Sequence, residues 1–136
     1  MKKDSGTIFV AIISLLVIMF ATATITQAEI IPKANPVFAE ASVYLSSSMV
    51  ADFTASARLI CPSISVSSCS LQRKVNGSWV NAGSLTPPAA AYNTSDYGAQ
   101  KDYSSNCTRG YTYRIYAVFS ARGETVTRYS NEATYR

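Results

Sequence analysis

Hydrophobic and polar residues alternate in two long runs of the chain. The first run places Ala51, Phe53, Ala55, Ala57, Leu59 and Cys61 on one side, and the second places Tyr111, Tyr113, Ile115, Ala117 and Phe119 on one side. Alternation with a period of two is typical of a strand that has one buried face. We predict a strand at each run, and we expect Pro62 to end the first one.

Shorter runs predict the remaining strands. Residues 41–45, 64–75 and 78–82 are expected to form strands, one short strand is expected between residues 89 and 105, and another follows residue 123. Seven short strands separated by turn residues indicate an all-β fold, namely an antiparallel β-sandwich of about seven strands.

Asn76-Gly77 predicts a two-residue type I′ hairpin, because both turn positions need positive φ. Such a turn fixes the register of its two strands, so that Lys74 faces Trp79. Arg73 falls on the core face and must reach solvent near the hairpin end. The other residues expected on that face are Cys69, Leu71, Val80 and Ala82, with Leu71 opposite Ala82.

Arg122-Gly123 predicts a second tight turn. Its register pairs Tyr116 with Tyr129 and places Arg128 opposite the inward-facing Ala117. A charged residue is costly at a buried position. Either a bulge or a longer loop is therefore expected, and the sequence leaves both open.

The N-terminal residues have the three parts of a secretion signal: a basic start, an apolar run over residues 8–20 and small residues before a cleavage point after Ala28. We predict a signal peptide helix over residues 1–28, an extended tether over 29–39 and the β-domain over 40–136. Cleavage after Ala39 is one alternative. An uncleaved anchor is another, because about 18 apolar-to-neutral residues approach the length of a membrane span. The expected location is secreted, or anchored in the second case.

Composition argues against most catalysis. The 136-residue chain has no histidine, which excludes Ser-His-Asp and Cys-His catalysis and histidine-based zinc sites. Glu124 and Glu132 could serve a glycosidase only beside a cleft, and the predicted terminal hairpin offers none. The net charge of +4 is mild and no dense basic patch argues for nucleic-acid binding. We expect no enzyme, no cofactor and no metal.

Three cysteines are candidates for a disulfide: Cys61, Cys69 and Cys107. In the oxidising compartment that the signal predicts, one pair is expected, with one thiol left over or paired between chains. Their spacing does not choose among the three possible internal pairs.

Three segments resemble a family of small secreted proteins from Gram-positive bacteria, a domain family of unknown function with LQ…NGSW, GxYYR and E…YS signatures. The segments are residues 71–80 (LQRKVNGSWV), 110–114 (GYTYR) and 123–130 (GETVTRYS), and Thr112 departs from the second signature. Residues 107–113 also resemble the tyrosine corner of fibronectin type III domains, with Gly110 and Tyr113 matching. The resemblance implies export and an immunoglobulin-like sandwich, and it implies no active-site residue.

An immunoglobulin-like order would set the strand of Arg114 and Tyr116 beside the strand of Leu71. One outward face would then carry the candidate ligand-binding residues Trp79, Tyr116, Tyr129, Lys74 and Arg114. An aromatic row of this kind can stack on sugar rings or bind a protein, and its cations suit anionic groups. Alternatively, the same contacts only stabilise an exposed sheet.

Together these patterns favour a secreted, non-catalytic binding or adhesion module whose partner is a cell-envelope polymer, a glycan or a protein. No nucleic-acid partner is expected, and no stable membrane insertion after signal cleavage. Two alternatives stay open: a small secreted bacteriocin-like effector, and an envelope-tethered structural domain that keeps its anchor.

Overall fold

A computed structural model describes residues 36–136, so the predicted signal peptide, its cleavage point and residues 29–35 of the tether lie outside the described residues. Seven antiparallel strands form one curled sheet, which confirms the all-β prediction. The strands are β1 Phe38–Leu45, β2 Val50–Val75, β3 Ser78–Leu85, β4 Ala91–Asp102, β5 Thr112–Ala121, β6 Glu124–Tyr129 and β7 Ala133–Thr134, with a short 3-10 helix at Ser104–Asn106 between β4 and β5. Residues 36–136 contain no helix with the length and hydrophobicity of a membrane span.

Strand β2 organises the sheet, because its two halves have different neighbours. The first half pairs with β1 and β4, which gives the first layer. The second half pairs with β3 and β5, and β6 extends β5, which gives the second layer. The Phe119 ring of the second layer lies 6.4 Å from Phe53 and 6.3 Å from Tyr97 of the first, centroid to centroid. The two layers therefore share one hydrophobic core.

Pro62 does not end the strand, contrary to the prediction. Strand β1 stops pairing with β2 at Ala57, and β5 begins at Ile64. Between these points only β4 accompanies β2. Proline lacks an N–H donor and is tolerated where one side of a strand has no ladder partner. Two expected strands are therefore one strand of 26 residues.

The inward position predicted for Leu59 is also wrong. Ser56 pairs with Asp96 and Cys61 with Thr94, so residues 57–60 lie opposite Ser95 alone. The extra residues interrupt the alternation of faces. As a result, Leu59 is 41% exposed and the adjoining Ile60 is 69% exposed.

The Asn76-Gly77 hairpin forms as predicted, with φ of 50° and 80°. Lys74 pairs with Trp79, but Leu71 pairs with Gly83 rather than with Ala82. A bulge at Ala82 causes this shift. Ala82 is consequently exposed instead of buried. Val80 keeps its predicted partner, Arg73, but is also exposed, and the core contribution of β3 comes from Leu85.

The predicted register of β5 and β6 is confirmed without a bulge or a longer loop, since Tyr116 pairs with Tyr129 and Ala117 with Arg128. Arg128 avoids the core by reaching across to β1, where its Nε donates to the carbonyl of Ala41 at 2.9 Å. Arg128 thus occupies an inward position in the strand register while its guanidinium stays outside the core.

The domain begins slightly before the predicted boundary. Phe38 opens β1 and is only 8% exposed, so residues 38 and 39 belong to the sheet rather than to the tether. The poorly patterned region after residue 89 holds a strand of 12 residues, β4, in which only Tyr97 is buried. The tyrosine-corner hydrogen bond is present: the Thr108 amide donates to the Tyr113 hydroxyl at 2.8 Å.

Candidate binding face

The five residues predicted to form a binding surface lie together on the outer side of the second layer. We call this surface the aromatic face, and its members are Trp79, Tyr116, Tyr129, Lys74 and Arg114. Their positions follow from the strand register, which pairs Lys74 with Trp79, Gln72 with Arg114, and Tyr116 with Tyr129. The face therefore crosses four strands, from β3 through β2 and β5 to β6.

Arg114 is at the centre of the aromatic face. Its guanidinium carbon lies 4.4 Å from the Trp79 ring centroid and 4.3 Å from that of Tyr129. Its Nε donates to Gln72 Oε1 at 2.7 Å, which fixes the plane of the group. A guanidinium held against two rings makes cation–π contacts with both. Two strands that are not neighbours, β3 and β6, are linked through this one side chain.

The two tyrosines extend the aromatic surface. Their ring centroids are 5.3 Å apart and the ring planes meet at 65°, an edge-to-face contact. Tyr129 remains 51% exposed, while Trp79 and Tyr116 are half-buried. The rings are thus held by neighbours on one side and open to solvent on the other.

Lys74 has a second partner that the sequence did not indicate. Its Nζ lies 5.6 Å from the Trp79 ring centroid and 3.1 Å from Glu132 Oε2. Glu132 follows the end of β6, and no strand pattern ties it to Lys74. The ion pair offsets the lysine charge. Arg114, which has no carboxylate partner among the described residues, is left as the main cation of the face.

The carboxylates considered for glycosidase chemistry lie toward opposite ends of β6: Glu124 is its first residue, and Glu132 follows its last residue, Tyr129. Glu124 Oε2 accepts from the Val37 amide at 3.2 Å, and Glu132 pairs with Lys74. Each carboxylate is thus engaged in a contact of its own. The part of the chain that the structure covers contains no group of three or more side chains able to hold a metal.

The predicted disulfide is absent, and Cys61, Cys69 and Cys107 are all free. Cys61 and Cys69 lie on the same strand, with eight residues of chain from one to the next. Extended chain of that length spans about 26 Å, far more than the ~6 Å between Cα atoms of a disulfide. Cys107 lies just after the 3-10 helix, on the connection between the layers.

Burial keeps the thiols of Cys69 and Cys107 protonated. Desolvation raises the pKa of Cys69, whose Sγ lies 3.6 Å from the Tyr103 hydroxyl. The same cause, with a smaller contribution from Asp102, raises the pKa of Cys107 to about 11. The pKa of Tyr103 is also raised, mainly by burial. Thiols with raised pKa values are poor nucleophiles, so neither Cys69 nor Cys107 resembles a reactive cysteine.

Comparison with protein-family models gives no match, and neither does comparison with curated proteins. The fold and the aromatic face therefore carry the functional argument on their own.

Proposed function

We propose that this protein is a secreted, non-catalytic module that binds a cell-envelope glycan or protein through the aromatic face. The observation that carries the proposal is the position of Arg114, between Trp79 and Tyr129 on the side of the sheet away from the core. Trp, Tyr and Arg are the residues most enriched at the energetic centres of interfaces.

The arrangement suits a ligand with ring faces and some negative charge. Aromatic side chains bind sugar rings and apolar partners through their faces while their polar ends stay solvated. A guanidinium adds directed donors for carboxylate or sulfate oxygens. Because Gln72 and the two rings already fix Arg114, little side-chain entropy is lost when a ligand binds.

Pull-down of the exported protein on cell-wall polysaccharide and on host glycoprotein tests this proposal. We expect Trp79→Ala to lower retention about tenfold, corresponding to about 1.4 kcal/mol. Tyr44→Ala is the matched control, because Tyr44 is 56% exposed on the outer side of the first layer. Equal retention of wild type and Trp79→Ala, with circular dichroism showing both folded, would contradict the proposal.

The structure also supports cleavage after Ala28 over cleavage after Ala39. Phe38 is buried in the core, and the Val37 carbonyl accepts from the Arg58 amide at 2.9 Å. Cleavage after Ala39 would remove both contacts. We therefore expect the intact mass of protein from culture medium to correspond to a chain starting at Glu29. A start at Glu40 would contradict this site, and retention of Met1 would support the anchored alternative.

A further inference from the structure

A polar cavity lies at the open end of the second layer, on the core side of the sheet. Its volume is about 230 Å³, and it is lined by Arg73, Val80, Asn81, Ala82, Asn106, Thr108 and Tyr113. Arg73 neighbours Lys74 in β2, so the two side chains point to opposite sides of the sheet. The cavity is therefore distinct from the aromatic face.

The guanidinium of Arg73 lacks a counterion there. Its Nε is buried and has no hydrogen-bond partner in the described chain. Its guanidinium carbon stacks on the Tyr111 ring at 4.7 Å, which supports the group without satisfying its donors. A buried donor on a cation is costly to leave unpaired. Because the buried Nε is closed to solvent, an anion that compensates the charge of Arg73 would bind its Nη groups.

The other polar groups of the cavity add hydrogen-bond donors. The side chains of Asn106 and Thr108 make no hydrogen bond within residues 36–136, and Asn81 uses only its Oδ1, which accepts from the Gly83 amide. The Tyr113 hydroxyl accepts from the Thr108 amide, so its own hydrogen stays available. None of the lining residues is Asp or Glu. The cavity thus offers donors and one positive charge.

Two features of the backbone fix the position of the cavity. The Asn76-Gly77 hairpin sets Val80 beside Arg73, and the Ala82 bulge shifts the rest of β3 against β2. The tyrosine corner holds the segment that carries Thr108 in place. Both features belong to backbone geometry, so the donors are fixed before any ligand arrives.

We propose that the Arg73 cavity binds a carboxylate carried by a ligand of about one sugar or one amino-acid residue. The two Nη groups of arginine form a planar fork that matches the two oxygens of a carboxylate. A volume of about 230 Å³ is below the usual range for larger ligands, which suits a single residue. The carboxylate could come from a uronic acid or from the end of a peptide.

The test is an NMR titration of the mature protein that follows the Arg73 Nε–H and the Asn81 and Asn106 side-chain amides. Glucuronate and N-acetylalanine represent the two sources, and glucose and N-acetylalanine amide are their neutral counterparts. We expect either acid to shift these signals with a dissociation constant of about 1 mM, as befits a small fragment. The acid that binds more tightly identifies the source.

Two variants separate this site from a general charge effect. Arg73→Gln should abolish the shifts of the Asn81 and Asn106 amides, and Arg73→Lys should weaken binding about tenfold because it keeps the charge and loses the fork. Arg114→Gln, a charge-matched change on the aromatic face, should leave the titration unchanged. Loss of retention in the Trp79→Ala pull-down without loss of this titration would show that the two sites are independent.

Several results would overturn the carboxylate site. They are the absence of shifts with both acids, equal shifts with the neutral counterparts, unchanged binding in folded Arg73→Gln, and tighter binding of inorganic phosphate than of either acid.

Discussion

The two outer faces of the curled sheet differ in the side chains that they present. The first layer presents Glu40, Asp52, Asp96 and small hydroxyl residues, and we call it the acidic face. There Ser42 and Thr54 share a hydrogen bond of 2.7 Å, and Gln100 donates to Asp52 at 2.7 Å. The second layer presents the aromatic face, where stacked rings and cations replace these short pairs.

The comparison shows what an exposed face of this sheet requires. Cross-strand hydroxyl and amide pairs are enough to satisfy the acidic face. The acidic face also exposes two rings, Tyr44 and Tyr92, but of the two faces only the aromatic face gathers its rings around a cation, Arg114. A difference of this kind within one sheet favours a binding role for the aromatic face over a purely stabilising one.

The largest effect should come from the core that both faces share. Phe53 is fully buried and contacts the rings of Tyr103 and Phe119 at 6.4 Å. We expect Phe53→Ala to lower the free energy of unfolding by about 3–5 kcal/mol. Urea denaturation followed by the fluorescence of Trp79 measures this loss. A loss below about 1 kcal/mol would show that the layers do not depend on a common core.

The two faces should differ when a central polar residue is removed from each. Arg114→Ala breaks two cation–π contacts and is expected to cost about 1–2 kcal/mol, whereas Asp52→Ala should cost less than about 0.5 kcal/mol. Urea denaturation of both variants provides the comparison. Equal losses would mean that the stacked arginine adds no more to stability than an ordinary exposed pair.

Alkaline pH should weaken the connection between the two layers at Cys107. Its pKa is raised by burial from an ordinary 9.0 to about 11. The folded state therefore holds this proton more tightly than the unfolded state, and its contribution to stability is complete below pH 9 and is lost as pH rises through about 11. Because the group is partly exposed, we expect at most about 1 kcal/mol.

Urea denaturation of wild type and Cys107→Ser at a series of pH values isolates this contribution. The serine variant lacks the thiol, so its stability should fall less steeply above pH 9. Parallel curves for the two proteins would contradict the raised pKa.

The smallest effect is expected for the ion pair at the border of the aromatic face. Lys74 and Glu132 are both well exposed, so Glu132→Gln should change the free energy of unfolding by no more than about 0.5 kcal/mol. The change should shrink further at high salt, which thermal denaturation at two salt concentrations can check. A larger, salt-independent change would indicate that Lys74 needs Glu132 to keep its place beside Trp79.

Much of the aromatic face could be predicted because its register depends on short-range signals. Asn76-Gly77 sets Lys74 against Trp79, and Arg122-Gly123 sets Tyr116 against Tyr129. The turns do not show that β5 lies beside β2. That part of the prediction came from the resemblance to an immunoglobulin-like strand order. Two-residue turns carry such information because they leave a single register open.

The features that escaped prediction depend on which strand lies beside which. Pro62 is compatible with a strand only because β2 has one neighbour there. In β4, Tyr97 is the only buried residue and the outer side is polar, so the sequence shows little alternation there. The same holds for the Arg73 cavity. It arises from a bulge at Ala82 and from a connection more than twenty residues further along the chain, and no local pattern encodes that meeting.

The continuous course of β2 through both layers has a consequence for the kinetics of folding. Val50 at its start pairs with Asp102, and Arg73 near its end pairs with Tyr113. The first layer is complete only when β4 has paired with β2, and the second only when β5 has done so. Because both strands come much later in the chain, neither half of the domain can serve as an early folded nucleus by itself. Sheets dominated by such distant pairings fold in milliseconds to seconds. We therefore expect one slow, cooperative folding step.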